Sequence, residues 1–140
     1  CDGTATARSY FTDFASCTPH DSVILTMGCA KFRLNASDHS TIAGLPRLLD
    51  LGQCNDAYSV FALATRLVDA LGCGLHELPL HFVFSWFEQK SVAMILTLLH
   101  LGFRSVHLGP SVPAFLTPRV WGLLHDEFGL RITSITHEDE

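Results

Sequence analysis

The sequence predicts an α/β fold, a mostly parallel sheet with helices on both faces, and three observations predict it. Short apolar, β-branched runs alternate with longer segments of helical period, the helical segments stop at glycines, and an unbroken strand–helix alternation calls for right-handed crossovers between parallel strands. The first strand is read at Ser22–Met27 (SVILTM), which ends in Gly28, and the second at Arg47–Leu51 (RLLDL), which ends in Gly52. His81–Phe87, Arg104–Leu108 and Arg131–Thr136 supply three more. Among the helices, Ala5–Phe14 follows the turn signal Asp2-Gly3. Ala57, Val60, Phe61, Ala64, Leu67, Val68 and Leu71 recur at i, i+3 and i+4 and stop at Gly72. Val92–Leu101 is apolar nearly all round, which predicts a helix covered on more than one side. Pro118 opens a last helix that closes at Phe128 before Gly129. Leu34–Leu45 reads as the one long irregular connection, and no internal repeat, low-complexity tract or linker interrupts the chain.

A length of 140 residues fits a single domain over 1–140. Apolar residues make up 48% and charged residues 16%, against a usual charged share of about 25%. That composition argues against disorder, and it implies apolar surface covered by a partner chain or by further parts of the same protein. A Cys at position 1 reads as a truncated start. Nine Lys and Arg against 14 Asp and Glu leave a net charge of −5 with no basic run, so the counterion release that drives nucleic-acid binding has no source. The longest uncharged apolar stretch, Ser91–Phe103, falls short of the roughly 20 residues a membrane span needs. Five cysteines without tight spacing disfavour a secreted disulfide framework and favour reduced thiols in a cytoplasm.

In an open parallel sheet, ligands bind where strands end and helices begin. Cys29 follows VILTMG, Cys54 follows LLDLGQ and Glu88 follows FVFSWF, so three metal-competent groups repeat one topological position, and Cys1 is placed to close a strand lying upstream. Helix N-termini favour thiolate, and thiolates are the soft ligands of iron–sulfur clusters. Spacings of tens of residues exclude zinc ribbons and ferredoxin-like runs. The plain alternative is that a lone cysteine at a strand end is a small buried hydrophobe; Cys17 and Cys73 lack the strand-end placement and are read as structural. His20, His39, His76, His125 and His137 are read as solvated, and His81, His100 and His107, which lie in apolar runs, as core residues. Glu88 and Lys90 flank Gln89 in apolar surroundings, where a charged pair is costly without partners. Either Glu88 opens a helix beside a solvated Lys90, or Glu88 is an oxygen ligand with Lys90 as proton donor or electrostatic anchor. No G-x-G-x-x-G follows a predicted strand, so a phosphate-binding nucleotide fold has little support.

Met27-Gly28-Cys29-Ala30-Lys31-Phe32-Arg33, the run Gly44–Ser59 with its Gly52-Gln53-Cys54-Asn55-Asp56-Ala57-Tyr58-Ser59, Ser85-Trp86-Phe87-Glu88-Gln89-Lys90, Cys1-Asp2-Gly3 and Leu108-Gly109-Pro110 with Pro113-Ala114-Phe115 stand in one order along the whole chain. Together they resemble the C-terminal domain of the hybrid cluster protein family, also called prismane proteins or hydroxylamine reductases. Ala30 replaces a more usual Gly and Leu34 an aromatic residue.

The resemblance implies a Rossmann-like domain that supplies about half the ligands of a hybrid [4Fe-2O-2S] cluster. Carried over by position, Cys1 corresponds to the persulfide-bearing cysteine, Cys29 and Cys54 to sulfur ligands, Glu88 to the carboxylate ligand and Lys90 to the lysine against the cluster. It also implies an oxidoreductase that reduces hydroxylamine, a small inorganic nitrogen substrate, to ammonia and water, with nitric oxide reduction as an alternative activity of the same cluster. The remaining ligands, and a second [4Fe-4S] or [2Fe-2S] cluster, belong to N-terminal domains of the same protein upstream of Cys1. An electron-donor protein is a further expected partner. Two other readings stand beside this one, a carbon monoxide dehydrogenase-like domain and a non-catalytic α/β fragment whose cysteines only pack. The isolated 140 residues are expected to be inactive.

Overall fold

The computed structural model describes residues 5–35, 38–85, 88–109, 113 and 115–133. The chain divides into two compact units, Cys1–Phe61 and Ala62–Glu140.

In the first unit, helix α1 (Ala5–Cys17) is followed by strand β1 (Ile24–Thr26), a 3-10 turn at Gly28–Ala30 and a single helical turn, α2 (Lys31–Leu34). A hairpin of β2 (Thr41–Ile42) and β3 (Leu45–Pro46) then leads into β4 (Leu48–Asp50) and a second 3-10 turn, Cys54–Asp56. β1 and β4 pair in parallel, with Ile24 opposite Leu48 and Thr26 opposite Asp50. Backbone bonds extend this ladder at both ends, from Ile24 N to Arg47 O at 2.8 Å and from Leu51 N to Thr26 O at 2.9 Å. Alternation along β1 buries Ile24 and Thr26 and leaves Leu25 half-buried. Tyr10, Ile24 and Leu34 form the apolar interior, and Arg47 is buried with them. The buried guanidinium is satisfied by carbonyls where α1 ends. Nε donates to Ser22 O at 3.0 Å, and Nη2 donates to Thr18 O at 2.7 Å and Pro19 O at 2.8 Å.

The segment read as irregular, Leu34–Leu45, therefore contains part of a hairpin. Ala43 and Gly44 both take positive φ, 50° and 80°, the backbone twist of a two-residue turn that matches the twist of flanking strands. Helix α3 (Ala57–Leu71) spans the division between the units and stops before Gly72, as its periodicity predicts.

The second unit holds a three-stranded parallel sheet in the order β5 (Phe82–Phe84), β6 (Val106–Leu108), β7 (Arg131–Ile132). Phe82 stands opposite Val106, and His107 stands between Val83 and Arg131. Leu98, Val106, Leu108 and Leu130 are the most completely buried large side chains. Beyond β6, Gly109 N donates to Phe84 O at 3.0 Å and Thr133 N donates to Leu108 O at 2.7 Å. A Cβ on Gly109 would lie 2.6 Å from Thr133 O, so the backbone there leaves room only for glycine. Helix α4 (Gln89–His100) packs on β6, and α5 (Pro118–Phe128) is capped by Thr117 and closes at Gly129, as predicted.

Two expectations for this unit are corrected. α4 buries Ile95, Leu98 and Leu99 but exposes Leu96, so it is covered along one face rather than more than one. His81 and His100 are exposed, because His81 precedes the ladder of β5 and His100 falls off the buried face of α4; His107 is half-buried. Of the predicted last strand, Arg131 and Ile132 are strand, and residues 134–136 lie outside the described residues. Parallel strands joined through helices make the chain an α/β protein of the open, Rossmann-like kind. Among the described residues, no helix is long and apolar enough to cross a membrane.

Candidate functional site

The register of β1 with β4 brings two of the sequence candidates onto adjacent turns. Because the strands are parallel and Thr26 faces Asp50, both leave the ladder in the same direction. Their outgoing segments are then joined by Gly28 N donating to Gly52 O at 2.9 Å. Cys29 sits in the first 3-10 turn and is exposed; Cys54 opens the second and is half-buried. Gly28 adopts φ +64°, and a Cβ built on it would lie 2.5 Å from Cys54 Sγ. Cys54 sulfur is thus seated against the backbone immediately before Cys29, in a cradle any side chain at position 28 would fill. Both thiols are free, as are those of Cys17 and Cys73.

Polar groups brace the two turns. Lys31 Nζ lies 3.1 Å from Asp50 Oδ2 and 3.4 Å from Oδ1, and it donates to Gly52 O at 3.5 Å. Asp50 Oδ1 also accepts from Gly52 N at 2.8 Å. The Gly52 N–H, and after it Lys31, hold the Asp50 carboxyl below its ordinary value of 3.8. On the second turn, Gln53 N donates to Asp56 Oδ2 at 2.7 Å, a reciprocal cap that fixes the residue before Cys54. Thr26 Oγ1, buried at the end of β1, has no hydrogen-bond partner among the described residues. Sequence reasoning missed Gly28, Lys31 and Asp50 as parts of this arrangement. The only signal was their proximity in sequence to Cys29 and Cys54.

In the second unit, Glu88 stands at the N-cap of α4 in extended conformation, and its side chain makes no capping bond. It lines an open concavity of about 490 Å³ with Gln89, Val92 and Phe115. Lys90 follows in the first turn of α4. Glu88 and Lys90 are both exposed, so solvent meets the desolvation cost expected of a charged pair in apolar surroundings. Cys1 lies outside the described residues. Among the described residues no group of three or more His, Cys, Asp or Glu side chains gathers to hold a metal ion. What the first unit offers is two free thiols on adjacent turns, and thiolates are the donors that soft metals take.

The chain is 55% identical over 139 residues to a hydroxylamine reductase of Rhodospirillum rubrum, covering 99% of this chain and 25% of the relative. It is 53% identical over 131 residues to a hydroxylamine reductase of Burkholderia ambifaria, covering 94% and 24%. Against a hydroxylamine reductase of Yersinia pseudotuberculosis, identity is 49% over 139 residues, covering 99% and 25%. The chain thus spans about a quarter of the length of the curated relatives it matches. Among solved structures, a carbon monoxide dehydrogenase from Thermococcus sp. AM4 superposes with a TM-score of 0.68 at 19% identity, over 91% of this chain and 23% of that one, a likeness of fold. With the match to the family running through residues 1–140, the chain belongs to the Prismane/CO dehydrogenase family.

Proposed function

We propose that this chain is the C-terminal, cluster-binding part of a cytoplasmic iron–sulfur oxidoreductase that reduces hydroxylamine. The observation that carries the reading is the seating of Cys54 Sγ against Gly28, one residue before Cys29, on turns leaving two paired parallel strands. The high identity to proteins named hydroxylamine reductase supports the same activity.

Cys29 and Cys54 hold iron as thiolates, Glu88 is the oxygen ligand, and Cys1 is the third sulfur ligand of a hybrid [4Fe-2O-2S] cluster. The other ligands, and a second [4Fe-4S] or [2Fe-2S] cluster, come from the domains that precede this one, so residues 1–140 act as a single domain within a longer protein. When bound, the cluster would supply electrons and Lewis acidity. Hydroxylamine takes up two electrons and two protons, the N–O bond breaks, and ammonia and water leave. The chain's own contribution is orientation and proton delivery. The carboxylate of Glu88 is accessible beside the concavity at the start of α4, and Lys90, exposed on the same helical turn, carries a proton to the departing oxygen. An electron-donor protein completes the cycle.

The test is iron and labile-sulfide analysis of the intact gene product expressed without oxygen, alongside Cys29→Ala and Cys54→Ala. The expected result is a coloured, iron-loaded parent protein and loss of cluster iron in both variants. A colourless, metal-free parent would overturn the reading in favour of a packing role for the cysteines. Lys90→Met should retain its iron and turn over more slowly; unchanged turnover would remove the proton role. Residues 1–140 alone should not reduce hydroxylamine after reconstitution, and activity there would overturn the need for upstream ligands.

A further inference from the structure

We infer that Lys31 is a positioning residue, a clamp that fixes the separation of the Cys29 and Cys54 sulfurs before any metal arrives. The inference rests on the reading of these cysteines as paired ligands. Lys31 begins the helical turn directly after the Cys29 turn, and its ammonium crosses to the other strand, to Asp50 Oδ2 at 3.1 Å and Gly52 O at 3.5 Å. Asp50 in turn accepts from Gly52 N at 2.8 Å. Gly52 therefore takes part in three links: its carbonyl accepts from Gly28 N and from Lys31, and its N–H donates to Asp50. Every one of these bonds joins or braces the segments that carry the cysteines.

The chemistry favours geometry over stability as the purpose. The Lys31 side chain is 12% exposed and that of Asp50 41% exposed, so solvent reaches the pair from the carboxylate side and keeps its contribution to folding modest. Directed bonds to a carboxylate and a carbonyl still restrict where the following turn sits. Without them, the parallel ladder ends at Leu51 N bonding Thr26 O, and among the described backbone groups the turns beyond are tied by the bond between Gly28 and Gly52. A lysine that spans the gap keeps the Cys54 sulfur in the Gly28 cradle and the Cys29 turn beside it. Such a preformed thiol pair lowers the ordering cost of binding a metal.

The test uses the full-length protein with every cysteine except Cys29 and Cys54 replaced by Ser, Cys1, Cys17 and Cys73 among them, so that these two are the only thiols. Dibromobimane, which becomes fluorescent only when both arms have alkylated thiols, reads their separation without metal. Fluorescent yield is measured at matched total alkylation, with melting temperature recorded for each variant. The parent should cross-link readily. Lys31→Met and Asp50→Asn should each lower the yield several-fold with little change in melting temperature, and Lys31→Arg should retain most of it. A yield in Lys31→Met and Asp50→Asn equal to the parent's would overturn the clamp, as would a parent that does not cross-link. Should Lys31→Met fail to fold, Asp50→Asn alone decides. Iron and sulfide content of the full-length protein is read separately: a cross-linking pair in a protein that takes up no iron leaves the clamp standing and sinks the cluster reading instead.

Discussion

The two units are held together by different kinds of force. In the second, Leu98, Val106, Leu108 and Leu130 make a fully buried apolar interior. Among the described residues the first has a smaller buried apolar set, Tyr10, Ile24 and Leu34, together with the buried cation of Arg47. There the directed bonds are dense. Arg47 binds three carbonyls, Lys31 reaches Asp50 and Gly52, and Gly28 bonds Gly52. Apolar packing fixes volume and tolerates repacking, whereas hydrogen bonds fix distance and angle. The candidate thiol pair stands in the unit whose order is directional, which suits a site that must hold two sulfurs at set positions.

The largest expected effect tests the packing side of this contrast. Leu98→Ala deletes a fully buried side chain on α4 and should cost about 3 kcal/mol in urea unfolding followed by circular dichroism. A cost no greater than that of an exposed site such as Leu96→Ala would mean the second unit does not depend on its core. On the directional side, Arg47→Met keeps the apolar stem but leaves the carbonyls of Ser22, Thr18 and Pro19 without their donor, a loss of about 2 kcal/mol. Unchanged stability would show that those bonds are idle. Gly28→Ala comes next. An L-residue at φ +64° costs about 1–2 kcal/mol, and the new methyl must also displace Cys54 Sγ. Alkylation of Cys54 should therefore speed up in this variant; an unchanged rate would mean the sulfur is not held in the cradle.

Much of this was legible in the sequence, and what was missed has identifiable causes. The bounds of α3 and α5 follow from local signals, apolar period with glycine stops and a proline start, and they match the structure. Strands were located but read too long, since apolar composition continues past the residues that pair. The hairpin after Leu34 was hidden because its turn places Ala43 at φ 50°, a conformation that alanine does not advertise. For the site, Cys29 and Cys54 were recognisable as strand-end residues. The Gly28 cradle and the Lys31–Asp50 link were not, since both depend on which residue of β1 faces which residue of β4, a fact fixed by pairing in space.

The smallest expected effect separates the units by acidity. His107 stands on β6 between Val83 and Arg131, with its ring 6.0 Å from that of His81. Burial first, then the charges of His81 and Arg131, hold its imidazole below the ordinary value of 6.5. The unfolded chain therefore binds this proton at higher pH than the folded one does, and stability falls as pH drops below 6.5 until the folded imidazole also titrates. Asp50 in the first unit has the opposite arrangement. Its carboxyl, lowered by the Gly52 N–H and Lys31, contributes stability above 3.8 that is lost only as pH falls below that value. On acidification the second unit should weaken first. Amide exchange read separately for β6 and β1 between neutral pH and pH about 5 should show protection falling in β6 and holding in β1. Arg131→Gln removes one of the repelling charges, so it should raise the His107 titration midpoint by NMR and shrink the loss in β6. A midpoint that stays put would mean Arg131 does not act on His107, and equal losses in both strands would erase the distinction between the units on this axis.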